Sequence, residues 1–117
     1  IGAGQGALGL ELSRRFDYFG FEPARGLSEG ARLRGVRIVD SLFSRQQLPA
    51  MADAVVMDNV LEHVLDPLQI LRTAAEALRP GCFLVVIVPN GVDWRRFHPA
   101  WRRTRHWIPP DHINYFR

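Results

Sequence analysis

The sequence predicts an α/β domain, a parallel sheet with helices on both faces. Strand-like and helix-like segments alternate along residues 1–88. Cys82 to Val88 is a continuous apolar run, the pattern of a strand covered on both faces. A glycine-rich turn joins a strand end at Ile1 to a helix start at Gly6, where backbone can approach a ligand closely.

Each element has a local cause. Leu8, Leu12 and Arg15 share helical spacing, which predicts a short helix over Gly6–Arg15. Phe16–Phe21 is aromatic and β-prone, and Glu22-Pro23 ends its pairing. Ala24–Arg34 is weakly helical, marred by Gly26 and Gly30. Val36–Val39 is a short strand between Gly35 and Asp40, and Asp53 leads into another at Ala54–Met57. Asp66-Pro67 followed by Ile70, Leu71, Ala74, Ala75 and Leu78 predicts the firmest helix: an acidic cap, proline in the first turn and a Pro80-Gly81 stop. From Pro89 onward the rhythm fails.

With 117 residues the chain has room for one domain. Its 47% hydrophobic and 23% charged residues exclude wholesale disorder. No apolar run is long enough to span a bilayer, and the single Cys82 cannot form an internal disulfide. A metal site would have to be built from histidines and carboxylates, and none is expected. These features suit a cytoplasmic setting. The chain opens at Ile1 without a methionine, so its true start is expected upstream. All 15 basic residues are arginine. Residues 1–93 carry a net charge of −2 and residues 94–117 one of +5, so the basic character belongs to the tail and suits an anionic partner.

Gly2-Ala3-Gly4-Gln5-Gly6-Ala7-Leu8-Gly9 fits two ligand classes. Read from Gly4, it is a dinucleotide fingerprint; read from Gly2, it is an adenosylmethionine loop. Glu22, some 20 residues beyond Gly2, can accept both ribose hydroxyls in either class. The discriminating block is Asp53-Ala-Val-Val-Met-Asp-Asn-Val-Leu-Glu-His-Val-Leu-Asp66-Pro67, followed by Ala77-Leu-Arg-Pro-Gly81 and Val85-Val-Ile-Val-Pro-Asn90. It resembles the class I S-adenosylmethionine-dependent methyltransferases, most closely their small-molecule branch (type 11/23-like), over nearly all of residues 1–90. Pro110-Asp-His-Ile-Asn-Tyr-Phe116 is similar to a segment that the same branch carries after its fifth strand. An NAD-dependent dehydrogenase fragment is the lesser alternative, because it lacks the Leu-Glu-His block.

The resemblance implies a Rossmann-like, doubly wound sheet of strand order 3-2-1-4-5, lacking the family's C-terminal strands 6 and 7. Residues 1–117 are then a single truncated methyltransferase domain, with a cofactor-binding core over 1–88 and a substrate lid or loop over 89–117. It implies S-adenosylmethionine as cofactor and S-adenosylhomocysteine as product, with transfer to an oxygen, nitrogen or carbon of a small acceptor. Gly2, Ala3 and Gly4, with Gly6 behind them, would pass beneath the methionine part, and Glu22 would hold the ribose. Asp40, Ser41 and Leu42 follow the third strand, where the family contacts adenine; either Asp40 or Ser41 can fill the polar role. Met57, Asp58 and Asn59 follow the fourth and would line the methionine side, with core packing the plainer reading of Met57. Cys82 replaces the second glycine of the family's Pro-Gly-Gly turn.

His63 and His112 are the candidate catalytic residues. An imidazole near the carboxyl end of the sheet can take a proton from an acceptor or orient it. Either can equally be structural, His63 through backbone or Glu62. His106 reads as a loop residue. In the tail, Trp94, Trp101 and Trp107 alternate with Arg95, Arg96, Arg102, Arg103 and Arg105. That composition fits a lid over an anionic acceptor, a solvated loop whose tryptophans pack against the family's later strands, or, as the alternative from another class, a nucleic-acid-binding or nucleic-acid-modifying module.

Overall fold

The computed structural model describes residues 1–90 and 111–116. The expected lid residues Trp94 to Trp107, with their arginines and His106, lie outside the described residues.

The opening helix α1 is shorter than its spacing predicts, Ala7–Leu12. It closes at Ser13, whose hydroxyl donates to the Gly9 carbonyl at 2.7 Å, while Arg14 and Arg15 amides bond three residues back and tighten the chain into a turn. Strand β1 is only Gly20–Phe21. The aromatic stretch before it does not join a ladder; Arg37 holds it instead, through the Asp17 carboxylate and the Tyr18 carbonyl. Helix α2, Arg25–Leu33, forms despite its glycines. A side chain at Gly26 or Gly30 would meet nothing within 4 Å, so both sit on the open face while Ser28 and Ala31 are buried. Strand β2, Ile38–Val39, pairs in parallel with β1.

The second pair is longer. Strand β3, Ala52–Asp58, runs parallel to β4, Leu78–Ile87, with Ala54 opposite Phe83 and Asp58 opposite Ile87. Between them lies α3, Pro67–Ala77, entered as the sequence predicts: Asp66 accepts the Gln69 amide at 2.9 Å and Pro67 takes the first position. The chain is already extended at Leu78, and Gly81, at φ 80°, lies where the register between β3 and β4 shifts.

Among the described residues, Ile1–Ala3 bridge the two ladders. The Ile1 nitrogen donates to the Val56 carbonyl at 2.8 Å and the Ala3 amide to the Phe21 carbonyl at 2.9 Å. The main core gathers Val55, Met57, Leu61, Ala74 and Ala77 between β3 and α3; a smaller one holds Ala31, Val36 and Ile38 beneath α2.

One expectation is corrected. The apolar run of β4 is not covered on both faces: Phe83 is 72% exposed and Val85, Val86 and Ile87 are also open. Within the described residues β4 has β3 on one side and no strand on the other. An apolar edge with unpaired backbone groups templates further pairing. This chain should therefore associate as its concentration rises, and Phe83→Asp should suppress that association. Light scattering over a concentration series checks it; a native chain that stays monomeric throughout would contradict the reading.

Candidate functional site

The glycine loop is a sequence of left-handed residues, with φ of 67° at Gly2, 54° at Gly4 and 78° at Gly6. The reason for glycine at position 2 is also spatial. A Cβ there would stand 2.5 Å from Cγ2 of Val60, so the loop lies directly on the turn that follows β3.

At the end of β1 the chain delivers Glu22, which is buried at 7% exposure. Its amide donates to the Val39 carbonyl, fixing the backbone. Its two carboxylate oxygens are held separately: Oε2 accepts the Gly4 amide and Oε1 the Ala24 amide, both at 2.9 Å. Each oxygen has thus accepted one backbone N–H and retains a second lone pair. The glycine loop and the entrance to α2 are tied together through one carboxylate.

The next positions are less uniform. Asp40 is committed to α2, accepting from the Ser28 hydroxyl at 3.2 Å and pairing with Arg25 at 3.5 Å. Ser41 donates to the Leu42 carbonyl and lies 3.0 Å from Gln47 Oε1, and Leu42 is 74% exposed. Met57 is fully buried in the main core, so its side chain packs the sheet. Asp58 and Asn59 are exposed beyond it, with Asn59 donating to the Asp58 carboxylate at 2.7 Å. Asn59 adopts φ 52°, a conformation asparagine tolerates better than most residues, as the strand turns toward Leu61–His63.

That turn carries Glu62 and His63, and the structure brings the distant segment 111–116 onto it. The Ile113 and Asn114 amides donate to the Glu62 carbonyl at 2.8 and 3.1 Å. The Asn114 side-chain amide donates to the carbonyls of Leu61 at 3.0 Å and Val64 at 2.6 Å. His63 Nδ1 lies 2.7 Å from the Asp111 carbonyl, which can only accept, so that nitrogen carries the proton. The His63 and His112 rings meet edge to face at 4.8 Å. The two candidate histidines are therefore neighbours. Glu62 and Asn114 were not singled out by sequence reasoning; the Leu-Glu-His and His-Ile-Asn runs were visible, but not that one folds on the other.

A family model for a methyltransferase domain matches residues 1–117. Among solved structures, a SAM-dependent methyltransferase from Thermotoga maritima, described as a possible histamine N-methyltransferase, superposes with a TM-score of 0.63 at 29% identity. The match covers 77% of this chain and 42% of that one, so this chain spans less than half its length. No curated protein matches. Mixed helices and parallel strands place the fold in the Rossmann-like class, and the chain belongs to the methyltransferase-domain family.

Proposed function

We propose that this chain binds S-adenosylmethionine and serves methyl transfer to an oxygen, nitrogen or carbon of a small acceptor. The observation that carries the reading is Glu22: a buried carboxylate, clamped beneath the glycine loop, with one spare lone pair on each oxygen. Two spare acceptors side by side suit the two hydroxyls of a ribose.

Bound S-adenosylmethionine supplies a methyl group on a sulfonium, already a strong electrophile, and leaves as S-adenosylhomocysteine. The protein's share is then mainly position and the exclusion of water. Gly2, Ala3 and Gly4 pass beneath the methionine part, with Gly6 carrying the chain into α1. Ser41 and Leu42 offer the open edge for adenine, with Asp40 bracing that edge against Ser28 and Arg25 of α2. Asp58 and Asn59 border the methionine side, and Met57 backs them from the core. His63 and His112 stand on the acceptor side, where a proton from a hydroxyl or ammonium must go. Residues 1–88 form the cofactor-binding core, and residues 89–117 supply acceptor contacts. The Thermotoga protein's description makes an amine the first acceptor to try.

S-adenosylhomocysteine is expected to bind with micromolar-scale affinity and raise the melting temperature, whereas NAD does neither. Calorimetry and a thermal-shift comparison test this. A shift with NAD and none with S-adenosylhomocysteine would overturn the assignment.

A further inference from the structure

We propose that Glu62, His63 and His112 form a binding site for a divalent first-row transition-metal ion. One potential ligand atom from each lies within 4.8 Å of the others. Ligands at about 2.1 Å around a tetrahedral ion stand roughly 3.4 Å apart, so modest side-chain rotation closes the set. Two imidazoles and a carboxylate are the donors such ions favour, and three protein ligands leave a coordination position open.

An independent observation points to an ion. Glu62 is 1% exposed, and among the described residues neither of its carboxylate oxygens has a hydrogen-bond partner. Burying a carboxylate unpaired is expensive, and proteins avoid it unless a cation or proton is held there. Glu62 spends only its main-chain carbonyl on the segment 111–116, leaving the side chain for the cluster.

The surroundings are also those of a prepared ligand set. His63 donates from Nδ1 to the Asp111 carbonyl, which leaves Nε2 with its lone pair available. Orientation of a ligating histidine through its other nitrogen is the usual outer-sphere arrangement. His112 is delivered by main-chain bonds on the residues beside it and by the Asn114 amide, so its placement does not wait for the ion. The proposal departs from the sequence expectation that no metal is bound. Combined with the methyl-transfer reading, on which this last step rests, the open position suits an acceptor with an oxygen or nitrogen lone pair, and while they ligate the ion His63 and His112 do not also take the acceptor's proton.

Titration of the metal-stripped chain with Zn²⁺ tests the site, with Co²⁺ as a visible-absorbance reporter. One ion per chain is expected. Altering outer-sphere partners alone weakens such sites by about 10–100-fold, so Glu62→Gln, His63→Ala and His112→Ala should each weaken binding by at least about tenfold. His63 and His112 are not buried, so their variants should retain the native circular dichroism and keep the test decisive whatever Glu62→Gln does to folding. Cys82→Ser should leave binding unchanged, since Cys82 sits beside Asp53 at the other end of the β3–β4 pair. No Zn²⁺ binding, or binding untouched by the histidine variants or lost with Cys82, overturns the proposal. S-adenosylhomocysteine calorimetry on the same samples separates the two readings: cofactor heat without metal removes the ion site alone, and metal without cofactor heat removes the methyl-transfer reading alone.

Discussion

Glu22→Ala is expected to weaken S-adenosylhomocysteine binding by more than a hundredfold. Two charge-assisted hydrogen bonds to ribose would be lost, at about 1.5–3 kcal/mol each, and each 1.4 kcal/mol is a factor of ten. The same change releases the Gly4 and Ala24 amides, so the melting temperature of the free chain should fall as well. Glu22→Gln should not rescue it. Its amide group would turn a donor toward a backbone N–H that is itself a donor, at one oxygen position or the other. Calorimetry gives the dissociation constant and a thermal melt gives the stability. An unchanged dissociation constant would remove Glu22 from the ribose role.

The second large effect is expected on stability, at Gly6. Its φ of 78° is unfavourable for any residue with a Cβ, by roughly 1–2 kcal/mol. The added carbon would also stand 2.8 Å from Cβ of Ala31 and 3.1 Å from Cγ2 of Val36, both in the small core beneath α2. Overpacking of that kind adds about 1–3 kcal/mol. Gly6→Ala should therefore cost about 2–5 kcal/mol, a large share of what small domains possess. Gly26→Ala is the contrast. It lies in α2 with open space around it, and alanine there should stabilise by about 0.5–1 kcal/mol. Urea melts of both variants give the comparison; equal effects would mean that the loop is not packed against α2 as described.

What could be read from the sequence follows from the range of the forces involved. Helix α3 was legible because its cap, proline and apolar spacing are all local to residues 66–78. The β3 strand and the glycine loop were legible for the same reason. The aromatic residues of Phe16–Phe21 favour a longer strand than the structure has, because Asp17 and the Tyr18 carbonyl are bonded to the Arg37 side chain and not to a ladder. The β4 run reads as doubly covered in the sequence and is open in the structure, since apolar content reports what a strand can bury and not what covers it. Of the candidate site, Gly2, Gly4 and Glu22 stood out because glycine and carboxylate have few other reasons to occur at that spacing. The proximity of His63 to His112 was invisible, because it depends on hydrogen bonds between residues about 50 positions apart.

Those bonds have a consequence for how this domain can change over generations. The hold on residues 111–114 is made by main-chain groups of Asp111, Ile113 and Asn114, by the Asn114 amide, and by His63 on the facing turn. The side chain of His112 makes none of these bonds. Position 112 can therefore accept a different residue without the segment losing its path, whereas Asn114 cannot be exchanged so freely. A lineage carrying this clasp has one position where new chemistry can be tried against a settled backbone, beside another that guards the backbone itself.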